Sequence, residues 1–301
     1  MALAAQPPEL LATAAADDVR VVRRWSLPGD PHGLAIGSDG TLYVGLAQPQ
    51  SVVAIDPKSG AVKGRVVLDS AEIASTKELL TLRTNRERTR LYVANGSDES
   101  ATILTLPDLH VLREITIEGE PIRDAVPDPK GRYLYLLGRR VHVFDANGER
   151  ELRTLKIDDP IAIAANATTL AVSGSEGVMT FDTTIFARSA PRTSAKGATA
   201  LVFTPNGTVI GLTSGTLLRG ATSTPICLPE GSGPQIATMA ADLLLFAEKR
   251  CNSSGAIAGA ASLYAVNVYA LAYDAATQSL VATDRAGYLT IYKVPRPAAV
   301  R

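Results

Sequence analysis

The sequence predicts an all-β protein in which one unit of four short strands recurs along the chain. A short apolar segment appears seven times in the 301 residues, at spacings of 35 to 49 residues. The seven copies are 41–44, 90–93, 133–136, 169–172, 208–211, 243–246 and 279–282. Turn sequences rich in Pro, Asp, Asn and Gly separate neighbouring segments. A repeat of about 40 residues with four strands is typical of propeller blades. We therefore predict a seven-bladed β-propeller with four-stranded antiparallel blades.

The first unit shows the pattern most clearly. Its predicted strands are 32–36, 41–46, 51–55 and 62–68. The turn 37–40 reads Gly-Ser-Asp-Gly and the turn 56–60 reads Asp-Pro-Lys-Ser-Gly. Asp bonds its own backbone, Pro presets φ and Gly accepts positive φ, so both sequences favour tight hairpins. Alanine is concentrated on the predicted first strands, which fits the narrow axis of a propeller.

The last unit lacks one strand. The segments 268–273, 279–283 and 288–294 make three, and Pro295-Arg296-Pro297 ends regular pairing. Residues 19–25 near the other end of the chain can supply the missing outer strand, which would remove an exposed edge. We therefore expect a tail or signal remnant over 1–18, one propeller over 19–297, and a short tail over 298–301.

Composition disfavours two classes of partner. The 30 basic and 30 acidic side chains balance, with a sequence pI of about 6.8, so nucleic-acid binding is not expected. No run of 18 apolar residues predicts a membrane span. Cys227 and Cys251 fall on the same predicted face of adjacent blades, where either a disulfide or a reduced pair fits. A disulfide would indicate a periplasmic or extracellular protein, while two thiols would suit the cytoplasm.

Three segments resemble known propeller repeats. Residues 91–95 (Leu-Tyr-Val-Ala-Asn) and 281–287 (Val-Ala-Thr-Asp-Arg-Ala-Gly) are similar to bacterial YVTN-type repeats. Residues 31–40 resemble the first strand of NHL-like and streptogramin-lyase-like blades. The resemblance implies a seven-bladed, WD-repeat-like, often secreted bacterial propeller that serves as an interaction platform and less often as an enzyme.

His32 begins a predicted first strand, so its imidazole is expected to face the mouth of the central channel. The streptogramin-lyase resemblance implies that a histidine there would work with a divalent metal. A metal site would also need a carboxylate such as Asp124 or Glu78. The alternative is a hydrogen-bonded turn histidine.

Further charged residues are expected on the loop face, which carries the blade-to-blade loops and the loops between second and third strands. Arg123 and Asp124 begin the third unit's first strand, and strand alternation suggests that only one of them faces the channel. Two long loops, 68–79 and 249–262, belong to this face. The other candidates there are Lys249, Arg250, Asp284 and Arg285.

These features together favour a non-catalytic scaffold without a cofactor, which binds a protein, peptide or glycan through the loop face. The sequence contains no phosphate-binding glycine loop, zinc-type spacing or nucleophile elbow. One alternative is a metal-assisted lyase or lactonase with His32 and Asp124 at the channel mouth. Another is a structural subunit of an envelope complex. Oligomeric state is not indicated by the sequence.

Overall fold

The computed structural model describes residues 20–68, 80–96, 98–188, 196–203, 207, 209–212, 216–219, 222–225, 236–240, 243–247, 261–263, 268–274, 276–284 and 286–293. Regular secondary structure within these ranges is entirely β. Across the same part of the chain, no helical segment is long and apolar enough to cross a bilayer.

The described strands are numbered in chain order. They are β1 (Arg20–Ser26), β2 (Pro31–Ile36), β3 (Leu42–Ala47), β4 (Gln50–Ile55), β5 (Val62–Val67), β6 (Leu80–Thr84), β7 (Arg90–Asn95), β8 (Ser100–Thr105), β9 (Val111–Thr116), β10 (Asp124–Pro127), β11 (Tyr133–Leu137), β12 (Val141–Asp145), β13 (Glu151–Leu155), β14 (Ala162–Ala165), β15 (Thr169–Gly174), β16 (Gly177–Asp182), β17 (Ala200–Phe203), β18 (Val209–Leu212), β19 (Thr216–Arg219), β20 (Thr222–Pro225), β21 (Ile236–Ala240), β22 (Leu243–Ala247), β23 (Ala261–Leu263), β24 (Val268–Asp274), β25 (Ser279–Asp284) and β26 (Tyr288–Lys293).

These strands form separate small sheets arranged around a common axis. Consecutive strands pair in the orders β2–β5, β6–β9, β10–β13, β14–β16, β17–β20 and β21–β23, and the last sheet runs β1-β26-β25-β24. The first strands contact one another in the cycle β2, β6, β10, β14, β17, β21, β24 and back to β2. First strands at the centre with later strands outside are the geometry of a propeller. The predicted propeller fold is therefore confirmed.

Two sheets differ from the predicted four antiparallel strands within the described residues. After β16 the chain turns back, because the Thr184 and Ile185 amides donate hydrogen bonds to Asp182 Oδ1 at 2.7 and 3.0 Å. In place of a fourth strand, the described residues there form one isolated antiparallel β-bridge, between Phe181 and Arg188. In the other sheet β23 runs parallel to β22. Residues 248–260 separate these two strands, and a connection of that length allows the chain to return in the same direction.

The second strand β3 is apolar and is buried on both of its faces. Leu42 and Val44 on β3 pack in one cluster with Val281 of the last sheet. Tyr43, on the opposite face of the same strand, packs with Leu91 of the β6–β9 sheet. Since side chains alternate along a strand, one apolar segment contributes to two inter-sheet cores.

The N-terminal strand β1 joins the last sheet to the first. It pairs antiparallel with β26 from Arg20 opposite Lys293 to Ser26 opposite Tyr288, so the predicted strand 19–25 lies within one residue of the observed one. The Trp25 indole covers Gly60, whose added Cβ would lie 2.2 Å from the ring nitrogen. β1 thus contacts the turn between β4 and β5.

A buried ion pair ties the third sheet to the fourth. Asp128 follows β10 and its side chain is fully buried. Arg132 Nε donates to Asp128 Oδ2 at 2.7 Å, and Arg132 Nη2 reaches across to Thr183 Oγ1 at 2.7 Å and to the Ala167 carbonyl at 3.3 Å. This contact lies on the face opposite the blade-to-blade loops.

Candidate functional site

The first strands enclose a central cavity of about 240 Å³. Residues from or beside six first strands line it, and most of them are aliphatic, including Leu34, Leu82, Ile163, Leu201 and Leu271. Among the described residues, the polar or charged ones that line the cavity are Thr81, Arg83, Arg123, Asp124, Thr199 and Tyr269. The cavity therefore combines apolar walls with a few polar groups, as ligand sites commonly do.

An ion pair between β6 and β10 supplies charge to this cavity. Arg83 Nη2 lies 2.9 Å from Asp124 Oδ2, and Arg83 Nε donates to Asp124 Oδ1 at 3.3 Å. Asp124 Oδ1 also accepts the Ala125 amide at 2.9 Å, which fixes the carboxylate. The negative charge of Asp124 raises the pKa of Arg83. The Arg83 side chain is 48% exposed and lines the cavity, so water in the cavity reaches its guanidinium.

Arg123 also lines the cavity, but its side chain holds neighbouring sheets together. Its Nη2 donates hydrogen bonds to the carbonyl of Gly138, in the third sheet, and to the carbonyl of Pro160, in the loop before the fourth sheet. Its own carbonyl accepts Thr81 Oγ1 from β6 at 3.1 Å. Arg123 thus links three consecutive sheets.

Arg123 and Asp124 both belong to the cavity lining, and the expectation that only one of them faces the channel directly stays a prediction. The alternation rule applies inside a strand, and β10 begins at Asp124. Arg123 precedes the strand, so its direction is set by the connecting loop instead.

The His32 imidazole was expected to face the mouth of the channel, but His32 does not line the central cavity. The side chain is 1% exposed, with Nε2 3.2 Å from Asp30 Oδ2. Its ring packs on Tyr269 of β24, with centroids 4.4 Å apart. The His32 carbonyl accepts Thr283 Oγ1 at 2.5 Å. The residue therefore connects the first and last sheets.

A register shift explains the position of this histidine. The pairing of β2 with β3 is irregular between Pro31 and Leu34, so regular alternation does not hold at His32. Gly33 lines the cavity at this point. A Cβ on Gly33 would lie 2.3 Å from the Leu80 carbonyl oxygen, so glycine is required for this close approach.

Asp284 stabilises the turn between β25 and β26. Its Oδ1 accepts the amides of Ala286 and Tyr288, each at 3.0 Å. Arg24 of β1 lies 3.6 Å from Oδ2 and stacks over the Tyr288 ring at 3.7 Å. Burial raises the pKa of Asp284 against these contacts. The other predicted residues, Glu78, Lys249, Arg250, Arg285, Cys227 and Cys251, lie outside the described residues.

A buried histidine between two carboxylates was not predicted from the sequence. His142 Nδ1 lies 2.9 Å from Glu151 Oε1, and His142 Nε2 lies 3.2 Å from Glu120 Oε1. The Arg140 amide donates to Glu120 Oε1 at 2.7 Å. Burial alone would raise the pKa of Glu120, but hydrogen bonds from Arg140 and His142 outweigh it and lower that pKa. These groups join the loop after β9 to β12 and β13.

The two residues of the metal hypothesis do not fit a divalent cation. Both Asp124 oxygens accept hydrogen bonds from Arg83, and His32 Nε2 faces Asp30. No group of three His, Cys, Asp or Glu side chains suited to a metal occurs in the part of the chain that the structure describes.

Comparisons with known proteins extend the fold assignment. No family model matches the chain. No curated protein matches it either. A solved structure of the mitotic checkpoint complex contains a chain with a TM-score of 0.70 and 14% identity, over 98% of this chain and 99% of that one. Virginiamycin B lyase from Staphylococcus aureus has a TM-score of 0.70 and 12% identity, over 92% of this chain and 100% of that one. This is a likeness of fold. It supports a propeller fold, and membership of the WD-repeat, YVTN or NHL families stays a prediction.

Proposed function

We propose that this chain is a non-catalytic propeller scaffold that binds a protein or peptide on the loop face around the central cavity. The observation that supports the proposal is that charged side chains at that face are fixed by ion pairs and by hydrogen bonds between sheets. Arg83 with Asp124 and Arg24 with Asp284 form ion pairs, and Arg123 holds three sheets together. Side chains fixed in this way form a rigid surface of mixed charge.

Mixed, fixed charge suits a polypeptide partner. Complementary charges across an interface orient the partner and discriminate against others. A rigid surface also loses little conformational entropy on binding. One structural neighbour belongs to a multiprotein complex, which is a precedent for this use of the fold. A glycan partner is the other outcome of the binding screen below.

The lyase or lactonase hypothesis has a precedent in the second neighbour, but the geometry disfavours it. It needs His32 and Asp124 free for one site. In the structure these residues belong to separate contacts, with Asp30 and with Arg83. The envelope-subunit hypothesis depends on residues 1–18, which lie outside the described residues.

The test is selection of binders from a random-peptide display library and a glycan array, followed by hydrogen exchange on the complex. We expect selected peptides to slow exchange in the loop-face segments 117–123 and 157–161. The turns 128–132 and 145–150 on the opposite face are the internal control and should exchange as in the free protein. Protection confined to those turns would contradict the proposal, as would a screen in which glycans bind and no peptide does.

A further inference from the structure

Among the described residues that line the central cavity, positive charge exceeds negative charge by one. These residues include two arginines, Arg83 and Arg123, and one carboxylate, Asp124. Most of the remaining wall is aliphatic. Apolar walls of low dielectric strengthen the field of such a charge and attract the opposite sign. The cavity therefore favours an anionic group.

Arg83 has hydrogen-bond donors that remain available. A guanidinium carries five N–H groups. Asp124 takes one from Nε and one from Nη2, and the other three have no partner among the described residues. The ion pair with Asp124 also holds the guanidinium in place, so its free donors are fixed before a ligand arrives.

We propose that the central cavity binds a carboxylate group, with Arg83 as its anchor. Arginine matches a planar carboxylate with two parallel hydrogen bonds. A phosphate carries nearly two negative charges at neutral pH and would face Asp124 at short range, whereas a carboxylate carries one. The inference rests on the proposed function, because it names the group that a bound partner would insert.

The size of the cavity limits the source of the carboxylate. A volume of about 240 Å³ is below that of typical pockets for drug-sized ligands, which hold about 300–1,000 Å³. It suits one acidic side chain of a bound peptide, or a short free acid. Both sources present the same chemistry, and the experiment separates them.

Two matched pairs of probes test the proposal by calorimetry. The first pair is propionate and propionamide, and the second is an N-acetylated, C-amidated Gly-Glu-Gly peptide and its Gly-Gln-Gly counterpart. We expect each acid to bind about tenfold to a hundredfold more tightly than its neutral amide, because the charge-assisted hydrogen bonds are lost in the amide. Binding of propionate alone would indicate a free acid, and tighter binding of the Glu peptide would indicate a side chain. Equal binding of acid and amide in both pairs, or no binding of either acid, would overturn the proposal.

Three variants identify the anchor. Arg83→Gln should lose the preference for the acids, while Asp124→Asn should strengthen acid binding because it removes the competing carboxylate. A merely structural ion pair would not give opposite effects. Arg113→Gln is the control, since Arg113 pairs with Glu149 on the exposed outer edge at 3.0 Å. Should Arg83→Gln fail to fold, Arg83→Lys keeps the charge but loses the two parallel bonds, and weaker acid binding is expected.

The two proposals can fail separately. If selected peptides protect the loop face but bind Arg83→Gln as tightly as the unaltered protein, the carboxylate proposal fails and the scaffold proposal stands. If propionate binds through Arg83 but no peptide is selected, the scaffold proposal fails and the anion site stands.

Discussion

Replacement of Arg132 by alanine should destabilise the protein more than any comparable change at the surface. It leaves the buried Asp128 carboxylate without its ion-pair partner and removes the link to Thr183. Breaking a buried pair by removing one partner typically costs about 3–5 kcal/mol. Since Arg132 itself is 29% exposed, water can partly solvate the carboxylate once it is gone, and we expect about 2–3 kcal/mol.

Urea titration and calorimetry measure this loss. For a chain of this size the expected decrease in Tm is about 2 °C per kcal/mol, or about 4–6 °C in total. Arg113→Ala, which breaks an exposed pair with Glu149, should cost less than about 1 kcal/mol. Adding Asp128→Asn to Arg132→Ala should recover part of the loss, because a neutral amide is cheaper to bury unpaired. If Arg132→Ala and Arg113→Ala lower the free energy of unfolding equally, the unpaired, buried charge of Asp128 is not the cause of the loss in Arg132→Ala.

Three further perturbations test the fold. In thermal melts, Gly60→Ala should lower the free energy of unfolding by about 1–3 kcal/mol more than Gly119→Ala. Both glycines have positive φ, but only Gly60 lies against Trp25. Equal losses of unfolding free energy would contradict the contact. The pKa of Glu120 is lowered from 4.5, so its contribution to stability is present above about pH 4.5 and is lost as pH falls through the lower, folded-state pKa. Glu120→Gln should therefore flatten the dependence of the unfolding free energy on pH over that range. An unchanged slope of unfolding free energy against pH would count against the network. Deleting residues 1–26 should lower Tm and cause self-association in size-exclusion runs, because the edge of β26 becomes exposed; a profile like that of the full chain would refute a stabilising role for β1.

The fold was predictable because its strands carry their pattern locally. Second strands buried on both faces read as continuous apolar runs, and Asp-, Asn- and Gly-rich turns mark the hairpins. The predicted segment 268–273 begins at the same residue as the observed β24 (Val268–Asp274) and ends one residue earlier. The parallel direction of β23 was not predictable, since three residues, Ala261–Leu263, contain no signal for the direction of pairing.

The site was only partly predictable, because it depends on contacts between distant residues. Asp124 lines the cavity, but its partner Arg83 lies 41 positions earlier and no local motif links the two. The alternation of apolar and polar residues in Leu80-Thr81-Leu82-Arg83 was the available signal, since it predicts a strand, and all four residues of that strand line the cavity. The position of His32 was missed because a register shift cannot be read from composition. The cellular compartment stays a prediction.

The pairing of β1 with β26 also determines how the molecule responds to force. Arg20, at the start of β1, lies opposite Lys293, at the end of β26, so both points are at the same corner of the sheet. Tension applied between these two residues would separate the ladder one pair at a time, beginning at that corner. Force applied between Arg20 and Tyr288 would instead act along the strands and load all the pairs together. The direction of pull, rather than the number of hydrogen bonds, would then decide how readily the last sheet opens.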